Sequence, residues 1–489
     1  MKNVKESANF IWSIADLLRG DYKQSDYGKV ILPLTVLRRL DCVLDATKEE
    51  VLKKHEQLKN TGIEDLDALL NRASGYKFHN RSNFTFDKLV ADPNNIALNL
   101  RNYINGFSED AREIIEQFEF ENQINKMDDA NLLFMVIKRF QEIDLHPDRI
   151  TSMEMGYMFE ELIRKFAEIS NETAGEHFTP REVIKLMVNI LFLNDRDILT
   201  KKGITKTIYD CCAGTGGMLS VAEEYLNELN PDARLEVFGQ ELNPESYAIC
   251  KSDLLIKGQN ASNIKKGNSI SEDKLASEKF DYLITNPPFG VKWEKFAKPV
   301  KAEHEQLGHG GRFGAGLPSV SDGSFLFLMH LMSKMKRPED GGSRLALVFN
   351  GSPLFSGSPS KTKNESSIRQ WIIENDLLEA VIALPNQLFY NTGISTYVWV
   401  ISNHKPTERK GKVQLINAID FSKKMSKSLG NKRNEITKKQ IAEITKIYGE
   451  FQANEYSKIF DNKAFGYAKV TVERPERHPG DDAALVGGG

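Results

Sequence analysis

The sequence predicts a doubly wound α/β fold with a mostly parallel sheet, preceded by an α-helical domain and followed by helices at the carboxyl end. Before about residue 155, apolar residues recur at helical spacing, whereas later apolar runs typical of buried strands alternate with helix-like segments. Parallel strands need crossover helices on both faces of a sheet. Because open α/β sheets bind ligands at the carboxyl ends of their strands, polar motifs that follow the apolar runs are candidate site residues.

The domain organisation is predicted from the change in periodicity. Residues 10–18 and 30–40 carry apolar positions at helical spacing with few strand signals, and residues 155–164 bridge to the next domain. The predicted divisions are an N-terminal helical domain at 1–155, a catalytic domain at 156–425, a C-terminal helical segment at 426–475 and a disordered tail at 476–489.

The composition is that of a multidomain globular protein. Its 489 residues exceed what one hydrophobic core usually serves, so at least two domains are expected. Long apolar stretches and a signal-peptide pattern are both missing from the sequence. The four cysteines lack metal-ligand spacing and suit a reducing compartment. We therefore expect a cytoplasmic protein without a membrane segment and without a metal site.

The most informative motif follows the apolar run 282–285 and consists of Asn286, Pro287, Pro288 and Phe289. The Asn286 oxygen and the Pro287 carbonyl can each accept a hydrogen of a planar amino group, which draws the nitrogen lone pair out of conjugation. Phe289 can stack on the ring that carries this amino group. The structural alternative is a proline stop at the end of an edge strand. Together with the motifs upstream, the four residues are predicted to be catalytic.

A glycine turn lies upstream, between an apolar run and a helix-like segment. Glycine tolerates positive φ and has no Cβ, so a nucleotide-like ligand can approach the backbone closely. An ordinary tight turn is the structural alternative. The residues predicted to bind a cofactor here are Asp210, Ala213, Gly214, Thr215, Gly216 and Gly217.

Two further polar residues follow later apolar runs. Glu241 ends the run 235–240 and can bind two ribose hydroxyls, as acidic residues on the second strand of Rossmann-type sites do. The turn departs from the full G-x-G-x-x-G pattern and Asp210 precedes it, which favours a nucleoside with an uncharged linker over a pyrophosphate. S-adenosylmethionine fits this description. Asn268 can bond the adenine edge, because an amide both donates and accepts. The prediction is therefore a Rossmann-like cofactor site.

The order of these parts resembles the N6-adenine DNA methyltransferases with Asn-Pro-Pro-Phe, specifically the modification subunits of type I restriction-modification systems. The resemblance covers nearly the whole chain, including residues 25–28 and 37–40. It implies an S-adenosylmethionine-dependent methyltransferase fold. Independently of the resemblance, the residue types predict a helix start, with Thr179 a candidate N-cap and Pro180 the first position of a helix. The segment implied to help hold the methionine end of the cofactor is Glu176, His177, Phe178, Thr179, Pro180 and Arg181.

The resemblance implies site-specific methylation of adenine N6 in DNA, with the base extruded from the duplex. It also implies three partners: DNA, a specificity subunit that is flanked by two copies of this chain and gripped by residues 426–475, and a restriction subunit in the full complex. A methyltransferase acting on guanine N2 of RNA or on a protein glutamine is an alternative. From a different class, the chain could be a non-catalytic subunit whose cofactor serves only assembly.

Two segments are candidates for contact with DNA. The glycine-rich loop at 308–316 is predicted to close over the extruded base or to touch DNA, with Arg312 as a phosphate contact. A basic stretch could line DNA or a partner, or it could be an ordinary solvated surface. Its cations are Lys405, Arg409, Lys410, Lys412, Lys423, Lys424, Lys427, Lys432, Arg433, Lys438, Lys439 and Lys446.

Overall fold

The computed structural model describes residues 2–170, 179–195, 199–359, 364–390 and 392–467. The amino-terminal part is helical, as predicted. Its helices are α1 (Lys2–Ile14), α2 (Tyr27–Leu44), α3 (Lys48–Leu58), α4 (Asp67–Ser74), α5 (Phe86–Ala91), α6 (Ile96–Asn105), α7 (Glu109–Glu116), α8 (Phe120–Asp129), α9 (Leu133–Gln141) and α10 (Ser152–Ser170).

Helix α2 is the centre of this part, where it contacts α1, α8, α9 and α10. Residues on all of its sides are buried, among them Val30, Leu34 and Leu37. A helix that is apolar all round is stable only when other elements surround it, which explains why the other helices pack against it. The buried Arg39 guanidinium in α2 donates to the carbonyl of Ile150 at 2.8 Å and so fixes the chain just before α10.

Helix α10 connects the helical part to the rest of the chain. The predicted domain boundary at residue 155 lies inside this helix, so the chain continues through that position without a break in secondary structure. The boundaries at residues 155 and 425 stay predictions.

The strands are β1 (Thr205–Asp210), β2 (Arg234–Glu241), β3 (Ile264–Lys266), β4 (Tyr282–Thr285), β5 (Arg344–Asn350), β6 (Leu378–Ala383), β7 (Thr396–Ser402), β8 (Lys412–Asn417), β9 (Lys423–Leu429), β10 (Lys432–Glu435) and β11 (Ser457–Asp461). Within the described residues, nine of them form one sheet in the order β11-β8-β6-β7-β5-β4-β1-β2-β3. Strands β9 and β10 form a separate two-stranded ribbon.

The large sheet is mostly parallel but mixed. In the described residues five of its eight strand pairings are parallel, and strands β7 and β11 run against the others. Strand β7 follows β6 through a loop and pairs with it, and neighbours joined without a crossover must be antiparallel. The other strands, including β1, β4, β6 and β8, end at one common edge, which we call the carboxyl edge.

The remaining helices are α11 (Arg181–Phe192), α12 (Gly217–Leu229), α13 (Pro244–Ile256), α14 (Ala297–Leu307), α15 (Ser324–Ser333), α16 (Ser352–Phe355), α17 (Glu365–Glu374) and α18 (Lys438–Glu450). They cover both faces of the sheet. Ile284 and Ala346 point into the core shared with α11, α12, α13 and α18, whereas their neighbours Leu283 and Leu345 point into the core shared with α15 and α17. This alternation explains the continuous apolar runs of the buried strands and confirms the doubly wound fold.

The C-terminal segment at 426–475 differs from the helical prediction. Up to Tyr467, where the described residues end, it contains the helix α18 between the strands β10 and β11. Strand β11 pairs with β8 and is the last strand on that side of the sheet. The outer backbone groups of β8 are therefore paired instead of exposed at an edge. The role of this segment in partner contact stays a prediction.

No helix in the described part of the chain combines the length and the apolar character needed to cross a membrane.

Candidate functional site

Three strand ends meet where the direction of strand order reverses, at β1 between β2 and β4. Asp210 is the last residue of β1, Glu241 the last of β2 and Thr285 the last of β4. The Thr285 hydroxyl donates to Asp210 Oδ1 at 2.7 Å. The structure therefore places the glycine turn after β1 beside the Asn-Pro-Pro-Phe motif after β4.

The glycine turn joins β1 to α12. Gly214 (φ 53°) and Gly216 (φ 84°) adopt the left-handed conformation that favours glycine. A Cβ on Gly216 would lie 2.9 Å from the sulfur of Cys250, so this position is also too close-packed for a side chain. At Gly214 the position of a Cβ has no described atom within 4 Å. The turn is therefore closed on the Gly216 side, where Thr215 is buried, and open beside Gly214.

Glu241 is bound to this turn. Its Oε2 accepts from the amide of Gly214 at 2.7 Å, and its Oε1 accepts from the amide of Asn243 at 2.7 Å. Burial raises the pKa of the Glu241 carboxyl. Each carboxylate oxygen keeps a second lone pair, so a pair of ribose hydroxyls could still donate to the side chain in this orientation.

Asp210 is the other acid of the site, and it is completely enclosed. Besides the Thr285 hydroxyl, the amide of Cys212 donates to its Oδ1 at 3.0 Å. Burial raises the pKa of the Asp210 carboxyl to about 7, and the nearby Glu241 acts in the same direction. A cation beside these two acids would therefore be stabilised most when Asp210 is ionised.

The predicted segment before the glycine turn reaches the site through Arg181. Its Nη1 donates to the carbonyl of Gly217 at 2.9 Å, and its Nη2 pairs with Glu160 Oε1 at 2.7 Å. The guanidinium also lies 4.7 Å from the centroid of the Tyr157 ring. Arg181 thus connects helix α10 to the first residue of helix α12.

The helix start after this segment differs from the prediction by one residue. Helix α11 begins at Arg181 with Pro180 as N-cap, and no side chain caps it, so Thr179 is not the N-cap. The Pro180 carbonyl instead accepts from the amides of Val183 and Ile184 at 2.9 and 3.1 Å. The predicted contacts Glu176, His177 and Phe178 lie outside the described residues.

Asn268 lies in the loop after β3, close to the glycine turn. Its Oδ1 accepts from the amides of Ile270 and Ser271 at 2.9 and 3.3 Å, so this oxygen shapes the loop. The next residue, Ser269, donates from its hydroxyl to the carbonyl of Cys211 at 2.5 Å. The structure therefore brings Asn268 next to the turn, while its bonding to an adenine stays a prediction.

The Asn-Pro-Pro-Phe motif leaves the sheet at the end of β4. Asn286 is partly buried with its Oδ1 inside the protein, Pro287 is buried, and Pro288 and Phe289 are partly exposed. The ring of Phe289 meets Phe389 edge to face, with centroids 6.2 Å apart. Phe389 lies in the loop after β6, and the sequence offered no local signal for this contact.

The glycine-rich loop is anchored at both ends, and we call residues 308–323 the strap. Arg312 pairs with Glu303 at 2.6 Å and donates to the carbonyls of Ser269 at 2.8 Å and Ile270 at 2.9 Å. The prediction that Arg312 contacts phosphate is wrong in this structure, because its guanidinium is committed to these protein groups. Arg312 also contacts the buried His330 at 3.2 Å.

The other end of the strap is bonded to the residues after Phe289. The amide of Gly323 donates to the Val291 carbonyl at 2.8 Å, and the Trp293 indole donates to the Ser319 carbonyl at 2.9 Å. The strap therefore bridges the loop that contains Asn268 and the chain that follows the Asn-Pro-Pro-Phe motif. Its predicted contact with the base or DNA stays a prediction.

The basic stretch does not form one surface. Lys405 is buried and pairs with Asp376 at 2.6 Å, and Arg409 is buried with Glu379 at 3.5 Å. Lys432 is buried against Glu182, at the start of α11. These three cations form buried ion pairs within the fold, so they belong neither to a surface that lines DNA or a partner nor to a solvated surface.

A glycine turn on a mostly parallel sheet, two acids beside it and an adjacent Asn-Pro-Pro-Phe motif are the features of a methyltransferase that acts on an amino group. The family model described as N-6 DNA Methylase matches residues 151–472, and the model described as HsdM N-terminal domain matches residues 7–140. The chain belongs to the N-6 DNA methylase family. The resemblance to modification subunits of type I restriction-modification systems is thereby confirmed.

Individual relatives agree with this assignment. The chain is 27% identical over 485 residues to the type I restriction enzyme MjaIX methylase subunit of Methanocaldococcus jannaschii, covering 96% of this chain and 81% of the relative. It is 26% identical to the HindI methylase subunit of Haemophilus influenzae, covering 65% of each. The crystal structure of a type I methyltransferase subunit from Streptococcus thermophilus has the same fold, with a TM-score of 0.69 at 23% identity, covering 94% of this chain and 96% of that one.

Proposed function

We propose that this chain transfers the methyl group of S-adenosylmethionine to N6 of adenine in DNA. The observation that carries the proposal is the hydrogen bond between Thr285 and Asp210, which joins the end of β1, where the glycine turn begins, to the end of β4, which Asn286 follows. A methyl donor at the turn and an amino group at Asn286 would therefore be neighbours. Holding two reactants in adjacent sites is itself a large source of rate acceleration.

The residues at the turn fit the proposed cofactor. The open space beside Gly214 admits a ligand close to the backbone, and Glu241 is oriented there by two amides. Asp210 and Glu241 suit a cationic nucleoside better than a pyrophosphate, which would be repelled by two carboxylates. When bound, S-adenosylmethionine would supply an electrophilic methyl group.

The acceptor side is supplied by the Asn-Pro-Pro-Phe motif. Asn286 Oδ1 and the Pro287 carbonyl would accept the two N6 hydrogens, which leaves the nitrogen lone pair available for the methyl group. Phe289 would stack on the adenine ring, and its contact with Phe389 holds it at the mouth of the site. The base must leave the duplex to reach these groups, at an unstacking cost of a few kcal/mol.

We further propose that the chain works as the modification subunit of a type I complex. Support comes from the relatives, which are named as methylase subunits of type I restriction enzymes. A structurally similar chain, with a TM-score of 0.59 at 21% identity, comes from a study of how the type I restriction-modification complex assembles. In this arrangement a specificity subunit reads the DNA sequence between two copies of this chain, and a restriction subunit joins the full complex.

The test is transfer of labelled methyl from S-adenosylmethionine to DNA, with and without the specificity subunit, followed by nucleoside analysis. We expect N6-methyladenine in DNA only when the specificity subunit is present. Cofactor binding without label in DNA would overturn the proposal, and parallel reactions with RNA and protein would then identify guanine N2 or glutamine as the acceptor. Binding without transfer to any of the three would indicate an assembly subunit.

A further inference from the structure

The two-stranded ribbon formed by β9 and β10 carries a concentration of exposed positive charge. Lys423, Lys424, Lys427 and Arg433 are all exposed, and Glu435 is the acid that accompanies them within residues 423–435. The whole chain has a formal net charge of -3, so this ribbon differs in sign from the average surface. Such local clustering, rather than the total charge, determines attraction to a polyanion.

The ribbon is attached at the carboxyl edge of the sheet. The amide of Asn431 donates to the Tyr390 carbonyl at 2.8 Å, and the amide of Arg433 donates to the Gln387 carbonyl at 2.9 Å. Both acceptors lie in the loop that follows β6. Lys432 secures the same junction, since its Nζ donates to the Leu388 carbonyl at 3.0 Å and also pairs with Glu182.

This attachment places the ribbon next to the acceptor motif. Phe389 belongs to the same loop as Gln387 and Tyr390, and its ring contacts Phe289. The turn of the ribbon and strand β10 thus adjoin the loop whose Phe389 ring contacts Phe289 of the Asn-Pro-Pro-Phe motif. A duplex that delivers an extruded base to Phe289 must pass close to the ribbon.

The spacing along the ribbon suits a phosphate backbone. Lys423 and Lys424 lie opposite Glu435 and Asn434 in the paired part of the ribbon, and Lys427 lies in the irregular stretch of β9 before Leu429, so the exposed lysines are distributed along the strand. Lysine is a flexible point charge without the planar fork of arginine, which suits phosphate contact better than reading of base edges. A ribbon of this kind would attract DNA without choosing its sequence.

We propose that the ribbon, residues 423–435, binds the DNA phosphate backbone beside the target adenine. The inference rests on the proposed function, because it assumes that DNA is the substrate. It assigns the positive charge of the basic stretch to two roles. Lys405, Arg409 and Lys432 are structural, and the exposed cations of the ribbon hold the duplex over the site.

The test compares two triple variants of the full chain assembled with its specificity subunit. One neutralises the ribbon through Lys423→Gln, Lys424→Gln and Lys427→Gln. The matched control removes the same charge elsewhere through Lys410→Gln, Lys446→Gln and Lys463→Gln, which are exposed residues before β8, late in α18 and after β11. Affinity for a duplex with the target site is measured over a range of salt concentrations, together with kcat and KM for DNA and cofactor affinity.

We expect the ribbon variant to raise KM for DNA and to reduce the slope of log affinity against log salt by up to about 3, since each lost phosphate contact removes about 0.9. We expect its cofactor affinity to be unchanged, which also shows that it is folded. The control should retain the wild-type slope.

Equal slopes for the wild type and the ribbon variant would overturn the inference. Loss of the specificity subunit from the ribbon variant on co-purification would also overturn it, since the ribbon would then be a protein contact. If the wild-type complex neither binds nor methylates DNA, the proposed function itself fails. If the wild type methylates DNA and the ribbon variant has the same salt slope and KM, only the inference about the ribbon fails.

Discussion

Asn286 is the residue on which the proposed chemistry depends most directly. Replacing it with Ala removes the side-chain oxygen that would accept an N6 hydrogen, while the glycine turn and Glu241 stay in place. We expect methyl transfer to fall by about 100-fold or more, the usual scale for loss of one polar group that acts on the reacting atom. We expect cofactor binding, measured by calorimetry, to be kept. For Phe289→Ala we likewise expect loss of methyl transfer with cofactor binding kept.

Asn417→Ala is the matched control, because Asn417 also follows buried strand residues and ends β8 at the same edge of the sheet. We expect this variant to methylate DNA like the wild type. Loss of cofactor binding in Asn286→Ala and Phe289→Ala would contradict the assignment and move both residues into the cofactor site.

Asp210 makes stability depend on pH. Burial raises the pKa of this carboxyl from an ordinary 3.8 to about 7, so the folded state holds the proton more tightly than the unfolded chain does. Its contribution to the unfolding free energy is therefore fully present below about pH 4 and is lost as the pH rises through about 7. We expect the urea midpoint of the wild type to fall more between about pH 5 and pH 8 than that of Asp210→Asn, which cannot ionise. Parallel curves for the two proteins would show that the carboxyl does not titrate in this range.

At the scale of elements, the strap is expected to act on the cofactor side of the reaction. Arg312→Lys keeps the charge but loses the planar fork that reaches Ser269, Ile270 and Glu303 at once. The loop that contains Asn268 should then be less fixed. We expect KM for S-adenosylmethionine to rise by about tenfold, equivalent to about 1.4 kcal/mol and within the range for a hydrogen bond to a charged group, with a smaller change in kcat.

Arg337→Lys is a suitable control for the strap, since the Arg337 side chain is 79% exposed and should tolerate the change. A purely structural role of Arg312 would lower the yield of folded protein and leave KM unchanged. That outcome would contradict the positioning role.

The elements that could be predicted from sequence are those whose cause is local. Glycines at 214 and 216 indicate a left-handed turn whatever surrounds them, and an apolar run that ends at Thr285 indicates a buried strand. The strap and the ribbon could not be predicted, because their anchors are distant in sequence: Arg312 bonds the loop after β3, and Asn431 bonds Tyr390. The burial of Lys405 and Lys432 was missed for the same reason, since Asp376 and Glu182 lie far away along the chain.

On the scale of the whole molecule, the helical part and the rest of the chain are joined by polar contacts, one partly exposed and one largely buried. Helix α7 contributes Glu113, which accepts from the hydroxyl of Tyr247 at 3.1 Å and pairs with Lys251, both on α13. Helix α10 contributes Glu160, which pairs with Arg181. Because Arg181 also holds the carbonyl of Gly217, the second contact couples the helical part directly to the end of the cofactor turn.

Breaking this second contact should destabilise the molecule. Burial raises the pKa of Glu160 although Arg181 opposes the shift, so the cost of removing this carboxylate from water is only partly offset. Replacing such a pair can be nearly neutral, but removing one charge leaves the other buried without compensation, which typically costs about 3 to 5 kcal/mol. We therefore expect Glu160→Gln to lower the urea midpoint strongly and to weaken cofactor binding.

Glu161→Gln is the control on the same helix, because Glu161 pairs with Arg164 at 2.8 Å while its side chain is 33% exposed. A partly solvated pair contributes about 1 kcal/mol or less, so this variant should unfold close to the wild type. If Glu160→Gln and Glu161→Gln unfold alike, the pair with Arg181 does not couple the two parts. If Glu160→Gln alone loses both stability and cofactor affinity, the helical part contributes to the shape of the cofactor turn although none of its residues needs to touch the ligand.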